Sequence, residues 1–158
     1  MVNELSYNTI SHVLESWESL RRIAKWEEVA GVCLFRKLFH RSPPARVLFG
    51  FPIDIDPDSD DLRFSKRFVT QAMYMIQMLD SSISMLGPDI DMLSEIMSEL
   101  GAKHSRYGVQ PEMFTIMGEC LIEMLAELLP NGVSTEAEAA WQTTYKELSQ
   151  DMIRAYVS

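Results

Sequence analysis

The sequence predicts an all-helical protein. Apolar residues recur three and four positions apart rather than at every second position, which is the periodicity of helices with one buried face. Only seven glycines interrupt the 158 residues, and no segment alternates well enough to predict a strand. The length matches about one domain, and 47% hydrophobic residues are enough for a single core. We therefore predict one helical domain that spans residues 1–158.

The first three helices are predicted in the N-terminal third. Apolar stripes indicate a helix over roughly residues 9–24 and a second over roughly residues 26–41. Ser42 followed by Pro43 is typical of an N-cap with proline in the first turn. We expect this short third helix to end near Phe49.

An acidic loop and a long helix come next. The segment 52–61 reads PIDIDPDSDD, and its two prolines and five aspartates predict a solvated loop. It matches a calcium loop poorly, because Ser59 stands where the sharp turn needs glycine and no glutamate closes the loop. The long helix is predicted over roughly residues 62–86. Its expected buried stripe is Phe68, Ala72, Met75, Leu79, Ile83 and Leu86.

Three further helices complete the prediction. A break at residues 87–88, Gly-Pro, should precede a helix that ends at Gly101, with His104 immediately after it. Pro111 should open the next helix, and the turn at residues 130–132 should end it.

The last helix is predicted to begin at a capping box formed by Thr135 and Glu138. A capping box satisfies two backbone N–H groups that the first turn leaves free. The residues expected on the buried face of this helix are Ala139, Trp141, Tyr145, Leu148, Met152 and Ile153.

Charge and hydropathy exclude some classes of function. The net charge of -9 and the pI near 4.8 argue against nucleic acid, whose phosphates are bound by Lys and Arg. The same charge disfavours anionic membranes and favours a basic protein partner, such as a reductase. No segment reaches the roughly 20 apolar residues of a membrane span, and the N-terminus lacks the pattern of a signal peptide. A cytoplasmic protein is expected.

The two cysteines and two of the three histidines predict ordinary structural roles. Cys33 and Cys120 are too few for a disulfide framework and wrongly spaced for zinc. They are expected to be reduced core residues. A disulfide between them is the alternative if their helices meet. His12 should be a surface or half-buried residue. His40 closes the second helix, where an imidazole suits the terminal carbonyls.

His104 has a more informative setting, because residues 99–114 read ELGAKHSRYGVQPEMF. This segment resembles the proximal signature of globins, in which a histidine near the end of one helix precedes a short Gly-Val turn and a long helix. The resemblance extends over roughly residues 8–157. It includes Trp17, LFRKLF at 34–39, Pro43, VLFGF at 47–51 and Trp141.

The globin resemblance implies a globin fold whose helices pack around a haem b (iron protoporphyrin IX) pocket. His104 is then the proximal ligand of the iron, and its other ring nitrogen donates to a backbone carbonyl. Phe49 packs against the haem plane, and Phe35 overlooks the bound ligand. Gln71 and Met75 take the two distal positions, one turn apart.

The resemblance also implies a pocket lining and a polar rim. The residues that line the proximal and inner pocket are Val109, Phe114 and Met117. Haem propionates need cations or hydroxyls at the rim of the pocket. The candidates are Ser105, Arg106 and Tyr107, with Lys66 or Arg67.

Gln71 is a departure from the oxygen-storage globins of animals, where histidine is commoner. Its amide N–H can still donate to a partly negative ligand. Glutamine is a poor iron ligand, which argues against a bis-histidine state. Microbial globins with this glutamine often carry tyrosine on the second helix, and Phe35 lacks the hydroxyl of that tyrosine. As an alternative, Tyr74 or Met75 would compensate for the missing hydrogen bond to the ligand, or bind the iron, if the long helix rotates.

The function implied by the resemblance is reversible binding of O2, CO or NO. Oxidation of NO to nitrate is a further reaction open to many globins. It would need a separate reductase, since the chain has no room for a flavin domain. The alternatives are a haem-based gas or redox sensor and a haem-free interaction module with a globin fold.

Overall fold

The computed structural model describes residues 2–156, and it contains helices and no strand over that range. A 3-10 turn, Val2–Glu4, precedes eight α-helices. These are α1 (Tyr7–Arg21), α2 (Trp26–Arg41), α3 (Pro43–Leu48), α4 (Asp60–Arg63), α5 (Lys66–Ser84), α6 (Ile90–Arg106), α7 (Pro111–Leu128) and α8 (Thr135–Arg154). The all-helical prediction is confirmed.

Local capping sets the bounds of the first helices. The Ser6 side chain accepts the backbone N–H of Thr9, so α1 begins two residues earlier than predicted and ends at Arg21. Helix α2 has the predicted bounds and follows Lys25, which adopts the left-handed conformation at φ 56°. Helix α3 starts at Pro43 as predicted, but the Ser42 side chain makes no capping bond.

The predicted long helix is divided in two. Ser59 accepts the N–H of Leu62 and opens the short α4, whereas Ser65 accepts the N–H of Phe68 and opens α5. The prediction of one helix from residue 62 is therefore wrong, because each serine side chain satisfies the free N–H groups of a new first turn. Ile76 is fully buried in α5, while Met75 is only half-buried.

Helix α6 runs past Gly101 to Arg106, so the prediction that it ends at Gly101 is wrong. Gly101 lies at a close approach of two helices: a Cβ there would be 2.0 Å from the carbonyl oxygen of Met152 in α8. The absent side chain thus allows contact and does not end the helix. His104 consequently lies in the last turn of α6.

Helix α8 also differs from its prediction at its start. Ser134 is the N-cap and accepts the N–H of Ala137, so Thr135 is the first helical residue and forms no capping box with Glu138. This one-residue shift places Ala140 on the buried face and leaves Ala139 exposed.

The helices pack around two central elements. Helix α2 packs against α5 and α7, and α8 packs against α1 and α6. Within residues 2–156, α5 and α6 share no extended contact. Trp17 of α1 links these two sets of helices. Its ring centroid lies 5.8 Å from the centroid of Trp26 in α2 and 5.8 Å from that of Trp141 in α8. In the described part of the chain, no helix is both long and apolar enough to cross a lipid bilayer.

Both cysteines are free thiols. Cys33 in α2 donates to Glu127 of α7 at 2.9 Å, and Cys120 is buried. Burial, together with the Glu127 carboxylate, raises the pKa of the Cys33 thiol to about 12. Cys33 is therefore protonated and unreactive at neutral pH.

Candidate functional site

His104 has one ring nitrogen fixed and the other without a partner. Its Nδ1 lies 2.7 Å from the carbonyl oxygen of Leu100, one turn earlier in α6. A carbonyl only accepts, so Nδ1 carries the hydrogen and Nε2 keeps its lone pair. Within residues 2–156, Nε2 has no hydrogen-bond partner. In its neutral form, a half-buried imidazole with this bond has the donor chemistry that iron requires.

Aromatic side chains hold the turn that follows His104. The ring of Phe114 in α7 is 5.7 Å from the His104 ring and 6.2 Å from Tyr156. The Tyr156 hydroxyl donates to the carbonyl of Val109 at 2.8 Å. The Tyr145 hydroxyl donates to the carbonyl of Phe114 at 2.6 Å. Burial raises the pKa of both tyrosines, so they are neutral donors.

A second aromatic cluster joins α2, α3 and α5. The Phe35 ring lies 4.9 Å from Phe49 and 6.4 Å from Phe68, in edge-to-face arrangements. Phe35 is fully buried, whereas Phe49 is half-buried. The structure therefore brings the predicted Phe35 and Phe49 together in an apolar wall.

Gln71 and Met75 occupy one face of α5. They are one turn apart and both half-buried. Their neighbour Ala72 packs against α2, where a Cβ on Gly31 would be 2.7 Å from the Ala72 carbonyl. The Gln71 amide has no hydrogen-bond partner within residues 2–156. Tyr74 is 62% exposed and so does not share the half-buried face of Gln71 and Met75.

Over residues 2–156, the helices that carry Gln71 and His104 share no extended contact. Gln71 belongs to α5 and His104 to α6, and α2 connects the two groups because it packs on both α5 and α7. The end of α3 meets the turn after α6, where a Cβ on Gly108 would be 3.9 Å from a methyl group of Leu48. An imidazole and an unpaired amide therefore belong to opposite halves of the fold.

Comparison with known proteins identifies the family. The globin family model matches residues 32–152, which is more than half of the chain. The chain belongs to the globin family. Membership makes it a haem-binding protein of the gas-binding class, in agreement with the donor chemistry of His104.

Curated relatives of this globin include neuroglobins. Neuroglobin of Danio rerio is 28% identical over 155 residues, which cover 98% of this chain and 94% of the relative. Neuroglobin-2 of Oncorhynchus mykiss is 30% identical over 141 residues, which cover 89% and 86%. This globin is therefore similar to neuroglobins over almost its whole length.

Solved structures share the fold of this globin. A hexacoordinated haem protein from an anhydrobiotic tardigrade aligns with a TM-score of 0.83 at 22% identity, covering 98% of this chain and 97% of the other. A hexacoordinate haemoglobin of Drosophila melanogaster aligns with a TM-score of 0.80 at 19% identity, covering 94% and 93%. At these identities the likeness establishes the globin fold.

The predicted rim and lining residues of this globin differ in exposure. Val109 and Met117 are half-buried, and Met117 packs against the core. Tyr107 ends α6 and is 71% exposed. Arg67 donates to the Gly50 carbonyl at 3.3 Å. The remaining rim candidates, Ser105, Arg106 and Lys66, are exposed.

A surface groove lies away from these residues. It is a cavity of about 520 Å³ between α1 and α5, lined by Leu14, Trp17 and Ile83 together with charged side chains. None of the predicted site residues borders it. The candidate site is therefore assigned by the chemistry of its side chains rather than by cavity size.

Sequence reasoning missed Tyr156 as a support of the site. This residue follows Met152 by four positions, which is the spacing of one helix face. The predicted buried stripe of the last helix ends at Ile153, although the same period continues to Tyr156. Extending the period by one turn identifies a residue that holds the Val109 carbonyl.

Proposed function

We propose that this globin holds one haem b through the Nε2 atom of His104 and binds O2, CO or NO reversibly at the opposite side. The observation that carries this proposal is the hydrogen bond from His104 Nδ1 to Leu100, which leaves Nε2 as a lone-pair donor. Haem, when bound, would supply an iron atom that can bind a diatomic gas. The proposal covers residues 1–158 as one domain.

Two groups of side chains have distinct roles in this proposal. Phe35 and Phe49 form the apolar wall that keeps water from the iron. Gln71 contributes the amide N–H that donates to a gas ligand with partial negative charge. Such a donor favours O2 over CO, because O2 carries more negative charge when bound. The residues proposed to complete the lining are Met75, Val109, Phe114 and Met117.

The exposure of the rim residues and of Tyr74 determines the roles that we propose for them. Tyr107 is proposed to meet the haem propionates, because it is exposed at the end of the helix that carries His104. Arg67 and Arg106 are the cations proposed beside it. The exposed Tyr74 is not assigned to the iron, since that would require rotation of α5 out of its packing on α2.

We extend the proposal to an enzymatic activity, the oxidation of NO, and to the cellular location of the protein. Oxidation of NO to nitrate would use the same site, with O2 supplying both added oxygen atoms, and one electron per turnover from a separate reductase would return the iron to its ferrous state. The net charge of -9 would attract a basic partner of that kind.

The free thiols of Cys33 and Cys120 support a reducing compartment, which we take to be the cytoplasm.

The first test is haem binding by matched histidine variants. We expect the purified chain mixed with haemin to gain a Soret band at a ratio of one haem per chain. His104→Ala should lose this band. His40→Ala should retain it, because His40 is also at a helix end but contacts Asp58 at 2.9 Å. Retention of the wild-type spectrum by His104→Ala would contradict the proposal, and a colourless wild-type chain would favour the haem-free module.

Two further measurements separate ligand binding from its rivals. Stopped-flow mixing of the oxygenated protein with NO tests the dioxygenase extension, which predicts nitrate as the product. A ligand-dependent change in sedimentation would instead favour a sensor whose contacts follow the state of the iron.

A further inference from the structure

The N-terminal segment and the last helix meet on α6. The backbone N–H of Val2 donates to the Asp151 carboxylate of α8 at 3.3 Å. The Ser94 hydroxyl of α6 donates to the same carboxylate oxygen at 3.0 Å. Arg154 pairs with the other oxygen from one turn later in α8. One carboxylate therefore connects three separate parts of the chain.

Asp151 is buried to an unusual degree for a charged side chain, with 2% of its surface exposed. A carboxylate without water is costly unless donors surround it. Val2, Ser94 and Arg154 supply those donors. Because removal of any donor leaves the carboxylate under-satisfied, docking of the N-terminal segment and packing of α6 depend on each other.

The contact between α6 and α8 continues from Asp151 towards the candidate iron ligand. Met152, the next residue, touches α6 at Gly101, three residues before His104. Tyr156, near the end of the same segment, holds the Val109 carbonyl beyond His104. The end of α8 and the residues just after it therefore contact the chain on both sides of His104.

We propose that Asp151 is a positioning residue for His104, through which the N-terminal segment controls the geometry of the proximal imidazole and the retention of haem. This inference rests on the proposed function. Asn3 adds a second tie, since its amide donates to Asp91 in the first turn of α6 at 3.5 Å. When the carboxylate loses a donor, α6 shifts against α8 and the His104 ring turns with it.

The test uses Asp151→Asn, Ser94→Ala and a chain without residues 1–5, each loaded with haem. Two quantities are measured: the rate of haem transfer to an excess of an apoglobin acceptor, and the iron–histidine stretching band of the reduced, ligand-free protein. We expect all three changes to shift the band and to speed haem loss about tenfold, a typical effect of disturbing the support of a metal ligand.

Asp80→Asn is the matched control. Like Asp151, Asp80 is a carboxylate that accepts from a side-chain donor, the Trp17 indole at 2.9 Å, but it is only partly buried and joins α1 to α5. This control should lower stability without moving the iron–histidine band. Wild-type values for both Asp151→Asn and Ser94→Ala, in a protein that holds haem through His104, would overturn the inference.

Hydrogen exchange in the haem-free protein keeps this inference distinct from the proposed function. Backbone amides over residues 101–106 should exchange faster in Ser94→Ala than in wild type or Asp80→Asn, because the last turns of α6 open more often. Ser94→Ala is the mildest of the changes and leaves the carboxylate in place. Unchanged exchange at these amides would overturn the coupling, whatever the outcome of the haem-binding experiment.

Discussion

At the scale of single residues, hydrogen-bond partners distinguish the candidate site from ordinary core. His40 and His104 both lie at helix ends, but His40 is bonded to Asp58 through Nε2. His104 bonds its own helix through Nδ1, and its Nε2 has no partner in the described range 2–156. Gln71 is likewise half-buried, and its amide has no hydrogen-bond partner among the described residues. Within residues 2–156, the buried side-chain atoms that lack a hydrogen-bond partner are Arg36 Nε and Thr144 Oγ1. A ligand at His104 and Gln71 is therefore supported by the lone pair and the amide N–H that these side chains can offer, not by a cost of burial.

The amide of Gln71 supplies a residue-scale prediction. Gln71→Leu keeps the approximate size of the side chain and removes the N–H donor, so the O2 dissociation rate should rise about tenfold, equivalent to one hydrogen bond of about 1.4 kcal/mol. The CO dissociation rate should change much less, because bound CO carries little negative charge. Stopped-flow ligand replacement measures both rates.

Gln77→Leu is the control for this prediction, since Gln77 is exposed on the same helix. It should leave both dissociation rates at their wild-type values. Equal changes in O2 and CO dissociation in Gln71→Leu would show that the side chain acts by size and not through its amide.

At the scale of helices, packing decides where α6 ends and where its histidine lies. A glycine followed by basic residues is typical of a helix C-terminus, yet α6 continues for five residues beyond Gly101. The reason is the backbone of α8, which comes so close that no other side chain fits. His104 is thereby placed within a helical turn and can donate to Leu100, a bond that an irregular segment would not provide.

Gly101→Ala tests this account of α6. In an exposed helix this change stabilises by about 0.5–1 kcal/mol, because alanine has the better helix propensity. Here the new methyl group would collide with the Met152 carbonyl, and the protein should lose about 1–3 kcal/mol in the free energy of unfolding. Urea denaturation of the haem-free protein measures the difference.

Ser98→Ala provides the comparison on the same helix. Ser98 is exposed and its hydroxyl donates only to the Ser94 carbonyl, so its replacement should change stability by less than about 0.5 kcal/mol. A gain in stability for Gly101→Ala would mean that α6 and α8 are not in close contact.

At the scale of the whole molecule, the candidate site joins halves that have little direct contact. Helix α5 with Gln71 and helix α6 with His104 share no extended contact in the region 2–156. Helix α5 packs on α2, and helix α6 packs on α8. A group bound between the two faces would add contacts that the polypeptide alone does not make, so binding and folding should be linked.

Haem should therefore stabilise the folded chain as a whole. With free haem at a hundredfold excess over its dissociation constant, linkage predicts about 3 kcal/mol of added stability in wild type. The rise should be much smaller in His104→Ala. Thermal or urea unfolding with and without haem measures the effect, and an equal rise in both proteins would indicate binding to some other surface.

The sequence by itself determined the helical class, seven of the helix positions to within a few residues, and the globin family. Periodicity and proline or serine at helix starts carry that information locally, since both act within one or two turns. The set of candidate residues also came from the sequence, through the segment around His104 and its spacing from the phenylalanines. Their roles towards haem remain predictions.

Only the tertiary structure decided how those residues are held. The length of α6 depends on the approach of α8 at Gly101. On the two sides of His104, Ser94 is bonded to Asp151 and Val109 to Tyr156, both far away in the chain. The start of α5 depends on a second serine cap within six residues of the first. Such features arise from contacts between distant segments, or from choices between equally good local caps, and a one-dimensional pattern does not record which of them wins.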